Sequence, residues 1–385
     1  MKVLCLHPAV SMRTIRQMKL LRKKGHEIHL RYLGYGTSAS LEDDSEIWTT
    51  KRSIFKRDYK GSHMIRTLVP SIYRSVVREA IEEEFDVIHT VSMSDVLGAA
   101  AVKHSGRVPI VFDVREMVST YDELRLMKNY IPQGLLKSSI IRNTVGRFII
   151  DKLHTLEKTA IELSTGRLFV SDYTLQLARK KYNFNIDKTL VLYNYIPLDD
   201  FPTLRKEKLS NYDGETHIVY SSGLSISDYR GDVPKFLKRL ANEEIHVHIH
   251  GIFENEETKR VYLKLAENKY IHLERTLPPR KLINELTKYD YGLIYYPKNQ
   301  QSQMLHTSLP NKFFEYISAG LPVLSSPYNS LKMFIEKYRV GLVFEDVHDL
   351  IRKINGLEIK MPNPEKFALD NHIGELEELY RKVQE

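Results

Sequence analysis

Twelve apolar runs, each four to seven residues long, alternate with amphipathic stretches along the whole chain. No other property of the sequence constrains the fold as tightly. Runs rich in Val, Ile and Leu that are separated by helices pack as a parallel sheet covered on both faces. The first series is predicted at residues 2–7, 27–33, 86–91, 108–114, 167–171 and 189–194, and the second at 216–222, 245–250, 270–274, 290–296, 321–325 and 341–344. Between them lies Ile196-Pro197-Leu198-Asp199-Asp200-Phe201-Pro202, proline-flanked and acidic, which reads as a hinge. At 385 residues the chain exceeds what one hydrophobic core supports. Two doubly wound Rossmann-like α/β domains are therefore predicted, residues 1–198 and 203–370, with a ligand crevice between them at the carboxyl ends of the strands. No repeat or low-complexity tract interrupts this pattern.

The most informative single stretch is Ser308 to Pro327, which reads as loop, short helix, glycine stop and buried strand. Pro310 suits the first helical position and Gly320 the left-handed position past the helix end. A helix start presents unpaired N–H groups and a positive dipole end, and Lys312 adds a full charge beside it, so phosphate would be stabilised there. Glu315, about one turn further on, can accept two hydrogen bonds from a ribose cis-diol. Phosphate at the tip and ribose on the flank describe a nucleoside-diphosphate site.

In these residues, with Asn-Lys-x-x-Glu-Tyr leading into Ala-Gly-x-Pro-Val, the chain resembles the retaining GT-B glycosyltransferases of family 4. The resemblance implies a GT-B fold, two Rossmann-like domains facing each other across a cleft, with residues 371–385 a helix crossing back to the first domain. It implies metal-independent transfer of a hexosyl or N-acetylhexosaminyl group from a nucleotide sugar, without further cofactor, to a glycan or polyprenyl or lipid-phosphate acceptor in glycan biosynthesis. Family members commonly carry a glutamate eight positions before Glu315; Thr307 stands there instead. A second similar element is Tyr220-Ser221-Ser222-Gly223-Leu224 through Arg230-Gly231, where relatives have two basic residues gripping the diphosphate. Arg230 fills the second position and Leu224 the first. The resemblance thus implies Arg230 and Lys312 on the diphosphate, Glu315 on ribose, and Asn311, Ser308, Gly223 and Leu277 as further nucleotide contacts. On the first domain, Asp113, Arg115 and Glu116 follow a strand at its carboxyl end, where such sheets place function. Glu116 is expected in the chemistry, and Asp113, Arg115 and Arg13 as acceptor or sugar contacts. Two other classes share the architecture, a nucleotide-sugar epimerase and a non-catalytic transferase-like subunit.

The net charge of +8 belongs to the first half, since residues 1–200 hold 31 Lys and Arg against 23 Asp and Glu, whereas the remainder balances at 26 of each. From Trp48 to Arg78, eight basic residues interleaved with Trp48, Phe55, Tyr59 and Tyr73 face one acid, Asp58, a pattern that suits an anionic membrane surface better than nucleic acid. The lone cysteine, Cys5, cannot form an internal disulfide, and no signal peptide or span of about 18 apolar residues is present. A cytoplasmic protein, peripheral at the inner membrane face, is expected.

Three further motifs point to structure first. Ile245 to His250 places three histidines on one strand face, and ordinary hydrogen bonding is the expectation there, with no metal. Gly134 to Ser164 carries an apolar stripe flanked by cations that is expected to face the core, although it could lie on a membrane. Gly34 to Ala39 spells a dinucleotide fingerprint, but no apolar helix follows it, which rejects that reading.

Overall fold

In the computed structural model, residues 1–7, 11–33, 46–54, 63–92, 95–227, 230–297, 303–356 and 359–385 are described. The Gly34–Ala39 fingerprint, the turn residues Pro8 to Val10 and the Phe55 to Lys60 part of the basic run lie outside them.

The chain forms two compact units. The first holds Met1–Tyr193, Ser302–Met304 and His372–Glu385. Its strands are β1 (Lys2–His7), β2 (Glu27–Tyr32), β3 (Thr50–Ser53), β4 (Val87–Val91), β5 (Ile110–Val114), β6 (Gly166–Phe169) and β7 (Thr189–Val191), in the spatial order 3-2-1-4-5-6-7 with every pairing parallel. β1 and β4 to β6 are buried end to end apart from the first residue of β1, as expected of central strands with helices on both faces. The sequence pattern misses β3 because Thr50-Lys51-Arg52-Ser53 is a polar edge strand with no apolar face to reveal it. The helix Ile373–Gln384 closes this unit. It inserts Tyr380, whose hydroxyl lies 2.8 Å from His89 Nδ1, and its Glu377 meets Lys24 Nζ at 2.5 Å and His26 Nε2 at 2.8 Å.

The second unit holds Asn194–Gln301 and Leu305–Asn371. Its strands are β8 (His217–Leu224), β9 (His246–Phe253), β10 (Ile271–Leu273), β11 (Tyr291–Ile294), β12 (Val323–Ser325) and β13 (Gly341–Val343), all parallel, in the order 10-9-8-11-12-13. Both sheets place their first strand centrally and reverse the winding direction beside it, the arrangement of doubly wound folds. The divide falls at Asn194, ahead of the proline-flanked segment, because residues from 194 onward already pack in the second unit: Tyr195 meets Phe314 edge-to-face at 5.2 Å and Ile196 bridges Ala368.

Two surface expectations change. Trp48 and Tyr73 are core residues, so the aromatic half of the described basic run does not face solvent. The Gly134–Ser164 stripe divides: Ile149, Ile150, Leu153 and Leu156 are buried, whereas Leu135, Ile140, Val145 and Phe148 are exposed, Ile140 by 74% and Phe148 by 67%. A π-helical segment at Arg142–Gly146 joins the short helix Ser139–Ile141 to the long helix Arg147–Leu163. Among the described residues no helix is long and apolar enough to cross a membrane. Burial in β1 pushes the Cys5 thiol up to about 12, which makes it inert at neutral pH.

Candidate active site

The donor-side residues gather in the second unit around the helix Asn311–Ser318, which is held against the sheet by Tyr316. The Tyr316 hydroxyl accepts the Ser221 N–H of β8 at 2.8 Å, and its ring lies so close over β11 that a Cβ on Gly292 would come within 2.3 Å of it. Only glycine fits there. Gly320, at φ 78°, takes the left-handed position that ends the helix. Pro310 is one position earlier than the sequence pattern suggests: it is the N-cap, with φ −73° and ψ 158°, and helical geometry starts at Asn311. No side chain caps this start. The preceding loop is tied down by Asn194, whose Nδ2 donates to the Leu309 carbonyl at 2.6 Å.

Lys312 sits over the Tyr220 ring, its Nζ 4.8 Å from the centroid. Burial and the neighbouring positive charge of Arg230 push its pKa down to about 7, against the opposing pull of Glu315. Arg230 in turn lies beside Gly223, where a Cβ would be 3.8 Å from its guanidinium. The loop between them is shaped by Glu254, which accepts from the Ser225 hydroxyl and from Ser227 Oγ at 3.2 Å. Asn311 Oδ1 is buried with no hydrogen-bond partner among the described residues. Two cations and an uncapped helix start thus share one corner, an arrangement that a phosphate dianion would neutralise. Ser308 is buried only in part of its loop context, donating its N–H to the Leu305 carbonyl at 3.2 Å. Leu277 is half-buried in the loop after β10, next to Thr276, whose hydroxyl donates to the Gly251 carbonyl at 3.1 Å. Thr307 and Leu224, at the two positions where relatives carry charge, are both buried.

The first-unit candidates form a separate group at the carboxyl end of β5. Arg13 grips Asp113 with two donors, Nε to Oδ2 at 3.1 Å and a terminal nitrogen to Oδ1 at 3.2 Å, and Arg115 Nε adds a third bond at 3.2 Å. Burial pushes the Asp113 carboxyl up, but the two guanidinium groups outweigh it and hold the group well below the usual carboxylate range. Arg115 also donates to the hydroxyls of Ser11 and Thr14, joining this ion-pair cluster to the start of the helix Met12–Lys23. The Arg13, Asp113 and Arg115 side chains are thereby committed to one another and to that turn.

Glu116 points elsewhere, into a cavity of about 200 Å³ lined also by Thr67, Asp95, Tyr121, Asn129 and Tyr130 above an apolar floor. It accepts the Tyr121 hydroxyl, and burial raises its pKa. Sequence reasoning missed Asp95, which starts the helix after β4 and is 5% exposed. Both of its carboxyl oxygens lack a hydrogen-bond partner among the described residues, and burial followed by the charges of Glu157 and Glu116 drives its pKa well above the ordinary value. The signal was present: Asp95 closely follows the carboxyl end of a central strand, where open α/β sheets bind ligands. Two acids biased towards their protonated form can donate hydrogen bonds to a polyhydroxylated ligand.

The family model "Glycosyltransferase Family 4" matches residues 10–200, and "Glucosyltransferase 3-like, C-terminal domain" matches residues 229–363. No curated protein matches by sequence. Among solved structures, the lipopolysaccharide outer core galactosyltransferase WaaB in its apo form is 12% identical with a TM-score of 0.64, covering 99% of each chain. Sucrose-phosphate synthase from Thermosynechococcus elongatus is also 12% identical, with a TM-score of 0.65 over 99% of this chain and 98% of that one. MnaA of S. aureus, in a co-structure with UDP, is 14% identical with a TM-score of 0.58, over 98% and 97% of the two chains. Glycosyltransferase models thus match successive stretches of both halves, and the two doubly wound parallel sheets give the chain the GT-B fold of these glycosyltransferase structures.

Proposed function

We propose that this glycosyltransferase moves a hexosyl or N-acetylhexosaminyl group, with retention, from a nucleoside-diphosphate sugar to a glycan or lipid-linked acceptor at a membrane surface. The observation that carries the reading is the pairing of Lys312 with Arg230 beside an uncapped helix start, where burial first and the Arg230 charge second bring the Lys312 pKa to about 7. A diphosphate leaving group gains charge as the glycosidic bond breaks, so these donors bind the transition state more strongly than the ground state. They meet that charge without calling on a divalent ion. Glu315 takes the ribose diol, and the acceptor hydroxyl attacks from the face that the diphosphate vacates, passing its proton to a departing phosphate oxygen. In the first unit, the Glu116 and Asp95 cavity supplies contacts to sugar or acceptor. The UDP in the MnaA structure supports a nucleoside-diphosphate ligand for this fold.

A lipid-linked acceptor is supported by the exposed Leu135, Ile140, Val145 and Phe148, rimmed by exposed Lys137, Arg142 and Arg147, an apolar face with a cationic border that suits an anionic leaflet. The proposal puts catalysis at the cytoplasmic face of the membrane, where an anionic leaflet would attract these cations. A second reading, a subunit without transferase activity, is favoured by the buried Thr307 and Leu224. Incubation with a panel of nucleotide sugars, with and without polyprenyl-phosphate or glycan acceptors, separates the possibilities. Sugar transfer to an acceptor supports the proposal, acceptor-independent isomerisation indicates an epimerase, and no turnover with any pair indicates the inactive subunit. Glu315→Ala is expected to weaken nucleotide binding by about 2 kcal/mol, roughly thirtyfold, with the fold intact. Unchanged affinity by calorimetry removes the ribose assignment.

A further inference from the structure

The strand starts of the second unit assemble an imidazole cluster that the donor site does not use. His217 opens β8, His246 and His248 open β9, and His272 lies in β10. Their rings stack, His217 on His246 at 4.5 Å, His246 on His272 at 5.0 Å and His248 on His272 at 4.5 Å, with interplanar angles of 13°, 14° and 19°. Lys312, by contrast, lies over Tyr220 midway along β8, with Arg230 beside Gly223 near its carboxyl end.

The proton inventory of this cluster is informative. Glu274 Oε1 lies 2.7 Å from His248 Nδ1, and an ionised carboxylate only accepts, so that nitrogen carries the proton. His248 Nε2 then accepts from His217 Nδ1 at 2.9 Å. His217 Nε2, on the far side of the ring, faces Asp213 Oδ2 at 3.0 Å and Oδ1 at 3.2 Å. An imidazole nitrogen and a carboxylate thus converge at a distance that either a shared proton or a metal ion bridges. Beside them, His246 Nε2 lies 2.5 Å from Glu215 Oε2, with its Nδ1 held by His272 Nε2 at 2.8 Å. Ligand atoms of Asp213, His217 and His246 lie within 4.8 Å of one another.

We propose that Asp213, His217 and His246, joined by Glu215, bind one divalent transition-metal ion of the zinc class. Two imidazole nitrogens and two carboxylate oxygens are the donor types and number of a tetrahedral zinc site, and the exposed Asp213 and Glu215 carboxylates would turn onto the ion. The chain from His217 through His248 to Glu274 is the outer support such ligands use: it fixes the tautomer that leaves Nε2 free for the ion. The ion would clamp the Ser210–Asp213 helix to the first turns of the sheet, a structural role at the end away from Lys312.

The test uses full-length, tag-free protein stripped with chelator. Zn²⁺ titrated in competition with a chromophoric chelator is expected to bind at one equivalent, and Co²⁺ to give the visible absorption of a four-coordinate nitrogen–oxygen site. Asp213→Asn with Glu215→Gln, both at the surface and compatible with folding, should weaken Zn²⁺ at least tenfold, and Glu274→Gln should weaken it about 10–100-fold through the relay. Absence of stoichiometric binding, or binding that these variants leave unchanged, overturns the proposal and leaves an ordinary hydrogen bond between His217 and Asp213.

Discussion

At the scale of single residues, Lys312 is the side chain whose chemistry is most specific to its surroundings. Its folded pKa of about 7 lies below the unfolded value, so the folded protein carries fewer protons than the unfolded chain between roughly pH 7 and 10, and stability rises with pH across that window. A bound diphosphate reverses the preference by favouring the charged amine. Calorimetry in buffers of different ionisation enthalpy should therefore show uptake of roughly 0.8 proton per nucleotide at pH 8 and almost none at pH 6. Lys312→Met should abolish that uptake and weaken binding while raising the melting temperature by about 2–4 °C, because a destabilising buried charge is gone. A variant that loses stability along with binding would show that Lys312 holds the fold instead.

At the scale of elements, the helix Asn311–Ser318 and its clamp decide whether a donor corner exists. Tyr316→Phe keeps the ring over Gly292 but leaves the buried Ser221 N–H without its partner, at a cost of about 1–3 kcal/mol. Denaturant titration measures that loss, and nucleotide affinity should fall with it as the helix start shifts. The segment 139–163 makes a different demand. Ile140 and Phe148 stand on the exposed side of a helix whose opposite side fills the core. Changing both to Asp should reduce co-sedimentation with anionic phospholipid vesicles at least tenfold, since each large apolar side chain gives about 1.5–3 kcal/mol on leaving water. The unfolding free energy should stay within about 0.5 kcal/mol, as expected of exposed positions. Retained vesicle binding would move the membrane contact elsewhere.

At the scale of the whole molecule, acid stability depends on a few buried ion pairs. Asp113 has its pKa held below the unfolded value, so its contribution is complete above the unfolded carboxylate pKa and is lost as pH falls towards the folded one. The Glu274 carboxyl, lowered to about 2 chiefly by its hydrogen bond to His248, titrates with the same sign. The melting temperature of the wild type is expected to drop steeply below about pH 4, and Asp113→Asn to flatten that slope while lowering stability at pH 7. A parallel profile for the variant would assign acid sensitivity to other groups.

Periodicity is a local property, and it is what the sequence by itself determined. Alternating apolar runs are enough to place twelve of the thirteen strands among the described residues and to give a parallel, doubly wound class; β3 escapes because an edge strand has no buried face to mark it. Pro310, Lys312, Glu315 and Gly320 are legible for the same reason, lying within one short helix and its ends. What only the tertiary structure decided depends on residues far apart in the chain. Arg13 meets Asp113 across 100 positions, burial and the charge of Arg230 from a different strand crossover depress Lys312, and Asp95 becomes an unpaired acid only once Glu116, Glu157 and the cavity walls surround it. Burial and charge proximity are sums over neighbours in space, and no window along the sequence contains those neighbours. The histidines of β9 show the same limit: alone they are a strand face, and His246 joins a candidate metal cluster only when His217 of β8 and Asp213 of the preceding helix come beside it.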